Sequence, residues 1–349
     1  MSFDTQTRTI IRTWKTWLNP NRLPGWAVLF SVVLSLLIVS SCSSSQVAAG
    51  KPDTVRVDFA YYNPVSLALK DKGWLEEELS KEGVKVEWTQ SAGSNKALEL
   101  LNSRSIDFGS TAGAAALIGK ANGNPIKTIY VYSKPEWTAL VTRPDTGINT
   151  VQDLRGKKIA ATRGTDPHIF LLRALDEAGL SPNDVEMVQL QHADGRAALE
   201  RGDVDAWAGL DPHMANTELE KGSKLFYRNA DFNSYGVLNV REEFAEKYPT
   251  CVEKVIAAYE QARQWSLDNP SELTAILQRE AKLPPQVASK QLEERTDLFN
   301  PLLGQAQRET IAAAGDVLKK SGVIPGSVDV EQTLSQLLEP KFAEKVVSK

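Results

Sequence analysis

Small hydroxylated residues recur in three short segments of this 349-residue chain, each placed between an apolar run and a helical pattern. The segments are residues 91–94 (SAGS), 109–113 (GSTAG) and 163–168 (RGTDPH). A helix start offers unpaired amide hydrogens and the positive end of a dipole, and Ser or Thr hydroxyls add further donors. Such residues also cap helices without binding anything, so each segment alone is weak evidence. Two of them facing one cleft would form a site for a small anion.

The sequence lacks the usual signatures of a catalytic or metal site. It contains no Gly-x-Ser-x-Gly elbow, no P-loop and no dinucleotide-binding fingerprint. The histidines His168, His192 and His213 lie far apart, and no Cys/His cluster has zinc-site spacing. The run His192-Ala193-Asp194 is typical of a surface group. We therefore expect a binding protein with no metal and no cofactor, and an enzyme is retained as an alternative.

These segments belong to an alternating pattern of short apolar strands and amphipathic helices. Strands are predicted at residues 54–60, 84–88, 106–109, 126–132, 138–142, 185–190, 204–208 and 235–240, with another after Gly156. Strand–helix–strand repetition indicates mostly parallel sheets with right-handed crossovers. Because the series begins again near residue 140, we predict an α/β chain with two lobes and a helical C-terminal region. Lobe 1 is expected over 53–140 and 236–349, and lobe 2 over 141–235.

The first fifty residues have the pattern of an export signal. A basic flank precedes an apolar stretch over 26–39, which is short for a membrane-spanning helix. The sequence Val39-Ser40-Ser41-Cys42 resembles the bacterial lipobox, which implies a lipoprotein signal peptide over 1–41 and lipidation of Cys42. Residues 42–52 then form a tether, and two acyl chains anchor a protein stably to the membrane. The alternative is an uncleaved signal anchor with an incidental cysteine.

The net charge excludes one class of partner. The whole chain carries −4, and removal of residues 1–41, with four basic residues and one acidic residue, lowers the charge of the mature body to −7. No basic surplus is available to hold nucleic acid phosphates, so no nucleic-acid partner is expected. An acidic body can bind an anion only through local positive potential, which helix starts and a few basic residues supply.

Several segments resemble the periplasmic solute-binding proteins of the aliphatic sulfonate, taurine and nitrate importers. They are residues 105–112 (SIDFGSTA), 151–160 (VQDLRGKKIA) with the following Gly164, Thr165 and His168, and 202–212 (GDVDAWAGLDP). The similarity runs over most of residues 53–270. It implies a type 2 periplasmic-binding-protein fold, a clamp that closes on its solute by hinge motion and hands it to an ABC permease. It also implies a monomer on the outer, periplasmic or extracellular face of the bacterial cytoplasmic membrane.

The resemblance and the three segments together give the predicted ligand-binding residues. By the resemblance, Ser110 and Thr111, Thr165, Trp207 and Asp211 lie at the cleft, as does the loop after the first strand, and Trp137 is placed to cover an alkyl chain. The full set is Tyr61, Tyr62, Asn63, Ser91, Gly93, Ser110, Thr111, Trp137, Arg163, Thr165, Asp166, His168, Trp207 and Asp211.

One residue departs from the pattern of sulfonate binders and leaves the solute open. Asp166 follows Thr165 at a helix start, where a carboxylate normally caps the helix and would repel an anion. Either Asp166 points away, or the solute also carries a positive group, as taurine does, and Arg163 could offset the charge. Alternatives within the same fold are nitrate, a thiamine precursor, riboflavin or another aromatic. An aromatic solute would stack on Tyr61, Tyr62, Trp137 and Trp207.

Overall fold

The computed structural model describes residues 50–298 and 300–347. The predicted signal peptide, the lipidation residue Cys42 and most of the tether over 42–52 lie outside the described residues. Within the described ranges, no helix has both the length and the apolar character that crossing a bilayer requires.

The strands form two sheets, and in each sheet the order of the strands differs from their order in the chain. The strands are β1 (Thr54–Phe59), β2 (Lys85–Gln90), β3 (Phe108–Ala112), β4 (Ile126–Pro135), β5 (Leu140–Thr142), β6 (Lys158–Ala161), β7 (Glu186–Gln189), β8 (Ala206–Ala208), β9 (Lys224–Tyr227), β10 (Gly236–Arg241) and β11 (Thr296–Asp297). Sheet 1 has the order β11-β4-β10-β3-β1-β2, and sheet 2 has the order β7-β6-β8-β5-β9.

Most strands in each sheet run in one direction, as the alternating pattern predicts. β1 is parallel to β2 and β3, and β6 is parallel to β7 and β8. The exceptions are β10 and β5, which are antiparallel to both of their neighbours, and the edge strand β11. β5 and β10 are the first strands after the chain passes from one sheet to the other, at residues 136–139 and 228–235. The predicted two-lobed α/β class is confirmed, with one reversed strand at each crossing.

Helices connect the strands and make up most of the C-terminal region. They are α1 (Pro64–Lys72), α2 (Trp74–Ser80), α3 (Ser94–Asn102), α4 (Gly113–Ala121), α5 (Asp166–Glu177), α6 (His192–Arg201), α7 (His213–Lys221), α8 (Glu242–Lys247), α9 (Pro249–Asp268), α10 (Pro270–Ala281), α11 (Pro285–Ser289), α12 (Gln305–Ala312), α13 (Gly315–Lys320), α14 (Val330–Leu337) and α15 (Lys341–Val347). Gly73 adopts a left-handed conformation (φ 68°) that ends α1 and lies directly before α2.

Alternating side chains of sheet 2 divide its core between two faces. Ile159 and Ala161 of β6 pack with Phe170 on one face, whereas Ala160 packs with Leu199 and Trp207 on the other. This is the period-two alternation of a strand that is covered by helices on both sides. It places Trp207 in the core of the second lobe and not at the edge of the cleft, where it was predicted.

Candidate functional site

A cavity of about 200 Å³ opens where strands of both sheets end. Residues that follow β1 and β2 line one wall, and the start of α6 together with the β8–α7 connection lines the other. The lining residues are Tyr61, Tyr62, Gln90, Ser91, Ala92, Gln191, His192, Ala193, Leu210, Asp211, Pro212 and His213. This position, outside the carboxyl ends of strands and beside helix starts, is where ligands bind in open α/β sheets.

A somewhat larger cavity of about 270 Å³ lies elsewhere on the molecule and does not share these features. It is lined by Arg56, Asp107 and Arg241, among others. These charged groups are already paired, because Arg241 contacts Asp107 at 2.6 Å and the Arg56 guanidinium contacts Glu87 at 3.3 Å. We assign the site to the 200 Å³ cavity because residues that follow strands of both sheets line it.

The two walls touch beside the cavity at Gly93, which precedes α3. A Cβ atom on Gly93 would lie 2.9 Å from Nε2 of His192 and 2.8 Å from Oδ1 of Asn95. Asn95 also faces the second lobe, because its Cβ lies 3.8 Å from the point where a Gly164 Cβ would be. The start of α3 thus faces the segment before α5 and the start of α6. Only glycine leaves room for this approach at position 93.

The first residues of α6 line the cavity, and their amides have no partner within the helix. The first hydrogen bond of this helix runs from the Gly195 amide to the Gln191 carbonyl at 2.7 Å. The amides before it are those that a helix cannot pair internally, and two of them belong to the lining residues His192 and Ala193. With the dipole of the helix, they give a positive potential without a cationic side chain.

The predicted segment over 109–113 does not form a helix start in the cavity, and this expectation was wrong. Ser110 and Thr111 are fully buried inside β3, which pairs with β10 as far as Ala112. The α4 amides are occupied, since Gly113 donates to the Tyr235 carbonyl at 2.8 Å and Ala114 donates to Ser234 Oγ at 3.1 Å. This segment does not line the cavity, and Ser110 instead contacts Tyr62, which does.

A buried carboxylate, Asp58, organises the residues beneath the cavity. Its oxygens accept hydrogen bonds from Ser91 Oγ at 2.6 Å and from the amide and hydroxyl of Ser110, each at 2.8 Å. Asn63 caps α1 and donates from Nδ2 to Ser110 Oγ at 2.7 Å, so this predicted ligand residue is committed to structure. Burial raises the pKa of Asp58 to about 6, against the lowering effect of these donors.

The aromatic side chains around the site are held in place by one another and by this network. Tyr62 lines the cavity, donates to the Ser110 carbonyl at 2.9 Å, and lies 3.0 Å from Ser91 Oγ. Its ring meets Trp137 edge to face, with centroids 5.9 Å apart. Tyr61 also lines the cavity and donates from its hydroxyl to the Glu280 carbonyl at 3.0 Å.

Asp166 points away from the cavity toward the two crossings between the sheets. Its carboxylate accepts from Trp137 Nε1 at 2.9 Å and from the amide and hydroxyl of Ser234 at 2.8 and 2.7 Å. Trp137 lies on the first crossing and Ser234 on the second. Burial raises the pKa of Asp166, and these donors oppose the rise. Thr165 is equally buried, and its hydroxyl donates to the Thr162 carbonyl at 2.6 Å.

Three further predicted residues do not line the cavity. Trp207 is fully buried in the core, where its Nε1 lies 2.7 Å from the point that a Gly195 Cβ would occupy, so its predicted place at the cleft edge was wrong. His168 is 2% exposed on α5, and burial lowers its pKa to about 4. Arg163 is exposed, and its amide donates to Gln189 Oε1 at 3.1 Å.

Asp211 does line the cavity, but its charge is already paired. Arg295 contacts both carboxylate oxygens at 3.2 Å and also pairs with Glu218 of α7. Asp211 also caps α7 by accepting from the Ala215 amide at 2.8 Å. Burial raises the pKa of Asp211 to about 6, and the positive charge of Arg295 opposes that rise. The pair joins the β8–α7 connection to the residue before β11 of sheet 1.

Two neutral histidines complete the second wall. Burial lowers the pKa of His192 to about 3 and the pKa of His213 to about 4. His192 is 1% exposed, so its expected place on the surface was wrong. Asp211 of the lining is paired with Arg295, and the lining hydroxyls of Tyr61, Tyr62 and Ser91 already donate to other groups, which leaves backbone amides as donors for a solute. In residues 50–298 and 300–347, no group of three or more His, Cys, Asp or Glu side chains is placed to hold a metal ion.

Sequence reasoning missed Asp58, His192 and Arg295. An acidic residue in an apolar strand such as β1 was a usable signal for Asp58, since a buried carboxylate must find donors. Arg295 gave no local signal, because its partner Asp211 is 84 residues away in sequence.

The NMT1/THI5 like family profile matches residues 63–273 of this chain. An Escherichia coli K12 protein named "Putative aliphatic sulfonates-binding protein" is 28% identical over 312 residues, which cover 87% of this chain and 96% of that protein. The taurine-binding periplasmic protein of Escherichia coli K12 is 29% identical over 234 residues, covering 64% and 70% of the two chains. Shorter matches, over 62% and 46% of this chain, include proteins of Uromyces fabae and Schizosaccharomyces pombe named 4-amino-5-hydroxymethyl-2-methylpyrimidine phosphate synthase.

Among solved structures, the alkanesulfonate-binding protein SsuA from Xanthomonas axonopodis pv. citri bound to MOPS superposes with a TM-score of 0.74. It is 25% identical in sequence, and the match covers 81% of this chain and 98% of that one. The match confirms the fold and the resemblance that the sequence motifs indicated.

Proposed function

The chain belongs to the NMT1/THI5-like family, and on that premise we propose that it is an extracytoplasmic solute-binding protein. In this proposal it binds a small aliphatic sulfonate in the cavity between the lobes and hands it to an ABC permease. The names of its relatives support the ligand class and a binding role rather than an enzymatic one.

The observation that carries the proposal is a cavity with the start of α6 in its lining and the start of α3 directly beside it. Gly93, before α3, lies against His192, the first residue of α6, and the free amides of α6 belong to cavity-lining residues. A sulfonate has three oxygens that accept hydrogen bonds, and amide donors fixed at a helix start suit such a head group. Apolar side chains such as Leu210 and the ring of Tyr62 would cover a short alkyl chain.

Closure would turn on the two crossings between the sheets. In this proposal lobe 1 comprises residues 53–140 and 236–349, and lobe 2 comprises residues 141–235. Asp166 of lobe 2 holds Trp137 on one crossing and Ser234 on the other. One buried carboxylate therefore fixes both connecting segments relative to α5, which suits a hinge that returns to one closed arrangement.

The proposal includes export and anchoring of the chain. Cleavage before Cys42 and lipidation of that residue would tether the monomeric body to the outer face of the cytoplasmic membrane. Mass spectrometry of the protein from a bacterial host tests this step, because processing leaves a diacylated Cys42 at the N-terminus. An intact Met1 would reject it.

Calorimetric titration of the full-length protein in detergent tests the ligand class. We expect heat from short alkanesulfonates and from taurine, and a weaker response to nitrate, which lacks a chain to fill the apolar wall. Silence for all of them rejects the sulfonate assignment. The same samples, analysed by mass spectrometry after incubation, test the enzymatic alternative, because conversion of a bound sulfonate would reveal catalysis.

The aromatic-solute alternative has less support from the positions of the aromatic side chains. Trp207 is buried in the core and Trp137 is 4% exposed with its indole nitrogen bound to Asp166. Of the four expected stacking residues, Tyr61 and Tyr62 line the cavity. A copurified chromophore in the absorbance spectrum would restore this alternative.

A further inference from the structure

The side chain of His192 is fixed as a hydrogen-bond acceptor at the line where the two walls meet. Its Nδ1 lies 3.2 Å from Thr162 Oγ1, and that hydroxyl donates to the Leu190 carbonyl at 2.7 Å. Threonine has one O–H hydrogen, which is used there, so Nδ1 carries the ring hydrogen and Thr162 accepts it. Nε2 is then left with a lone pair.

Three buried acceptor atoms at or beside this line have no donors. They are Nε2 of His192, Oδ1 of Asn95 and Oε1 of Gln191, and none of them has a hydrogen-bond partner within the described part of the chain. The Asn95 and His192 atoms each lie within 3 Å of the point where a Gly93 Cβ would be. Gln191 precedes His192 and lines the same cavity. Buried acceptors of this kind are normally satisfied, so the set indicates a missing donor.

The composition of the set identifies the donor. A primary ammonium carries three N–H hydrogens in a compact group, a hydroxyl carries one, and a plain alkyl chain carries none. The Asn95 and His192 acceptors each lie within 3 Å of one point and so suit one ammonium better than two separate donors.

We propose that the solute is an aminoalkanesulfonate, and that His192 selects it by accepting a hydrogen bond from its ammonium group at Nε2. This rests on the proposed function and adds to it a specificity-determining residue. Asn95 and Gln191 provide the neighbouring acceptors, and the amides of the helix starts bind the sulfonate. Because an alkanesulfonate would leave Nε2 buried and unpaired, a site built in this way rejects analogues that lack the donor.

A rotation of the Asn95 amide offers a competing way to satisfy Nε2. If the Asn95 nitrogen took the place of Oδ1, it would donate to His192 across the gap, and the solute would need no donor. The two arrangements predict different selectivity, which makes them separable by binding measurements.

The test is calorimetric titration of the full-length protein with taurine, isethionate and propane-1-sulfonate, which carry an ammonium, a hydroxyl and no donor. We expect taurine to bind at least tenfold more tightly than propane-1-sulfonate, with isethionate between them. His192→Leu, which removes Nε2 without adding atoms toward Gly93, should lower the preference for taurine over propane-1-sulfonate about tenfold. His192→Gln, which keeps an acceptor near Nε2, should retain most of the preference.

Each outcome separates the inference from the proposed function. Equal binding of taurine and propane-1-sulfonate by the wild-type protein overturns the inference and leaves a sulfonate-binding protein. Equal loss of both affinities in His192→Leu with an unchanged melting temperature also overturns it, because the residue would then serve the whole site. If no sulfonate binds, the proposed function itself fails.

Discussion

Replacement of Gly93 by alanine should prevent the two walls from closing fully. The new Cβ would lie 2.9 Å from Nε2 and 3.2 Å from Cδ2 of the His192 ring, and 2.8 Å from Asn95 Oδ1. The Asn95 side chain can rotate away. The His192 ring cannot easily do so, because it is 1% exposed and its other nitrogen contacts Thr162 at 3.2 Å.

The size of the effect follows from overpacking. An added methyl group in a close-packed contact destabilises that arrangement by about 1–3 kcal/mol. The contact joins two lobes, so an open clamp avoids it and the penalty falls on the closed, solute-bound state. We expect about five- to 150-fold weaker solute binding, with little change in the melting temperature of the solute-free protein. Calorimetric titration and thermal unfolding measure the two quantities.

Gly326→Ala is a matched control for this substitution. No heavy atom lies within 4 Å of the Cβ that it would add, and it lies in the C-terminal region outside the cavity lining. Its binding should equal that of the wild-type protein. If Gly93→Ala also binds taurine and alkanesulfonates with unchanged affinity, the contact between Gly93 and His192 is not part of the bound state, and closure of the clamp through this contact is refuted.

Three further predictions concern the buried charges. Asp58→Ala should lower the free energy of unfolding by about 2–4 kcal/mol because it leaves buried donors without an acceptor. Asp58→Asn should lower it by less than about 1 kcal/mol, because the amide can donate to a serine hydroxyl that rotates. Urea denaturation compares the two variants, and equal losses would contradict this reasoning. Arg295→Met should lower the free energy of unfolding by about 3–5 kcal/mol because it leaves the Asp211 charge buried without a partner. Adding Asp211→Asn should restore part of the loss. An unchanged free energy of unfolding in the single variant would show that the pair is solvated. The pKa values of His168, His192 and His213 are all lowered by burial, so as pH falls from 7 to 5 only the unfolded chain takes up their protons, at up to about 1.4 kcal/mol per pH unit each. The raised pKa values of Asp58 and Asp211 oppose this loss of stability. Denaturation series at pH 7, 6 and 5 should show a net fall in the free energy of unfolding, and a rise would contradict it.

The regular part of the fold could be predicted because its signals are local. Period-two apolar alternation marked β1, and the predicted strand over 54–60 differs from the observed Thr54–Phe59 by one residue. The predicted strand over 106–109 ended too early, because β3 continues to Ala112 only by pairing with β10, more than 120 residues later. α7 and β9 were not predicted, since α7 is mostly polar and β9 has only four residues. Pairing between distant strands overrides local composition there.

The site was harder to predict because its residues act through distant partners. The segments over 91–94 and 163–168 were correctly identified as helix starts, since Ser94 begins α3 and Asp166 begins α5. Whether a hydroxyl faces a ligand or a neighbouring carboxylate depends on tertiary contacts. Ser110 is an example, because its amide and its hydroxyl both donate to Asp58, 52 residues earlier in the chain.

The position of Asp166 bears on whether the solute carries a positive group. A carboxylate at a helix start would repel an anion bound there. The sequence therefore left two alternatives: Asp166 points away from the site, or the solute carries a positive group. The first holds, because Trp137 and Ser234 occupy the Asp166 oxygens at the crossings. The positive group therefore cannot be inferred from Asp166, and it depends entirely on the unpaired acceptors around His192 on the far side of the gap. The selectivity of the His192 variants is for this reason the measurement that decides between an aminoalkanesulfonate and a plain alkanesulfonate.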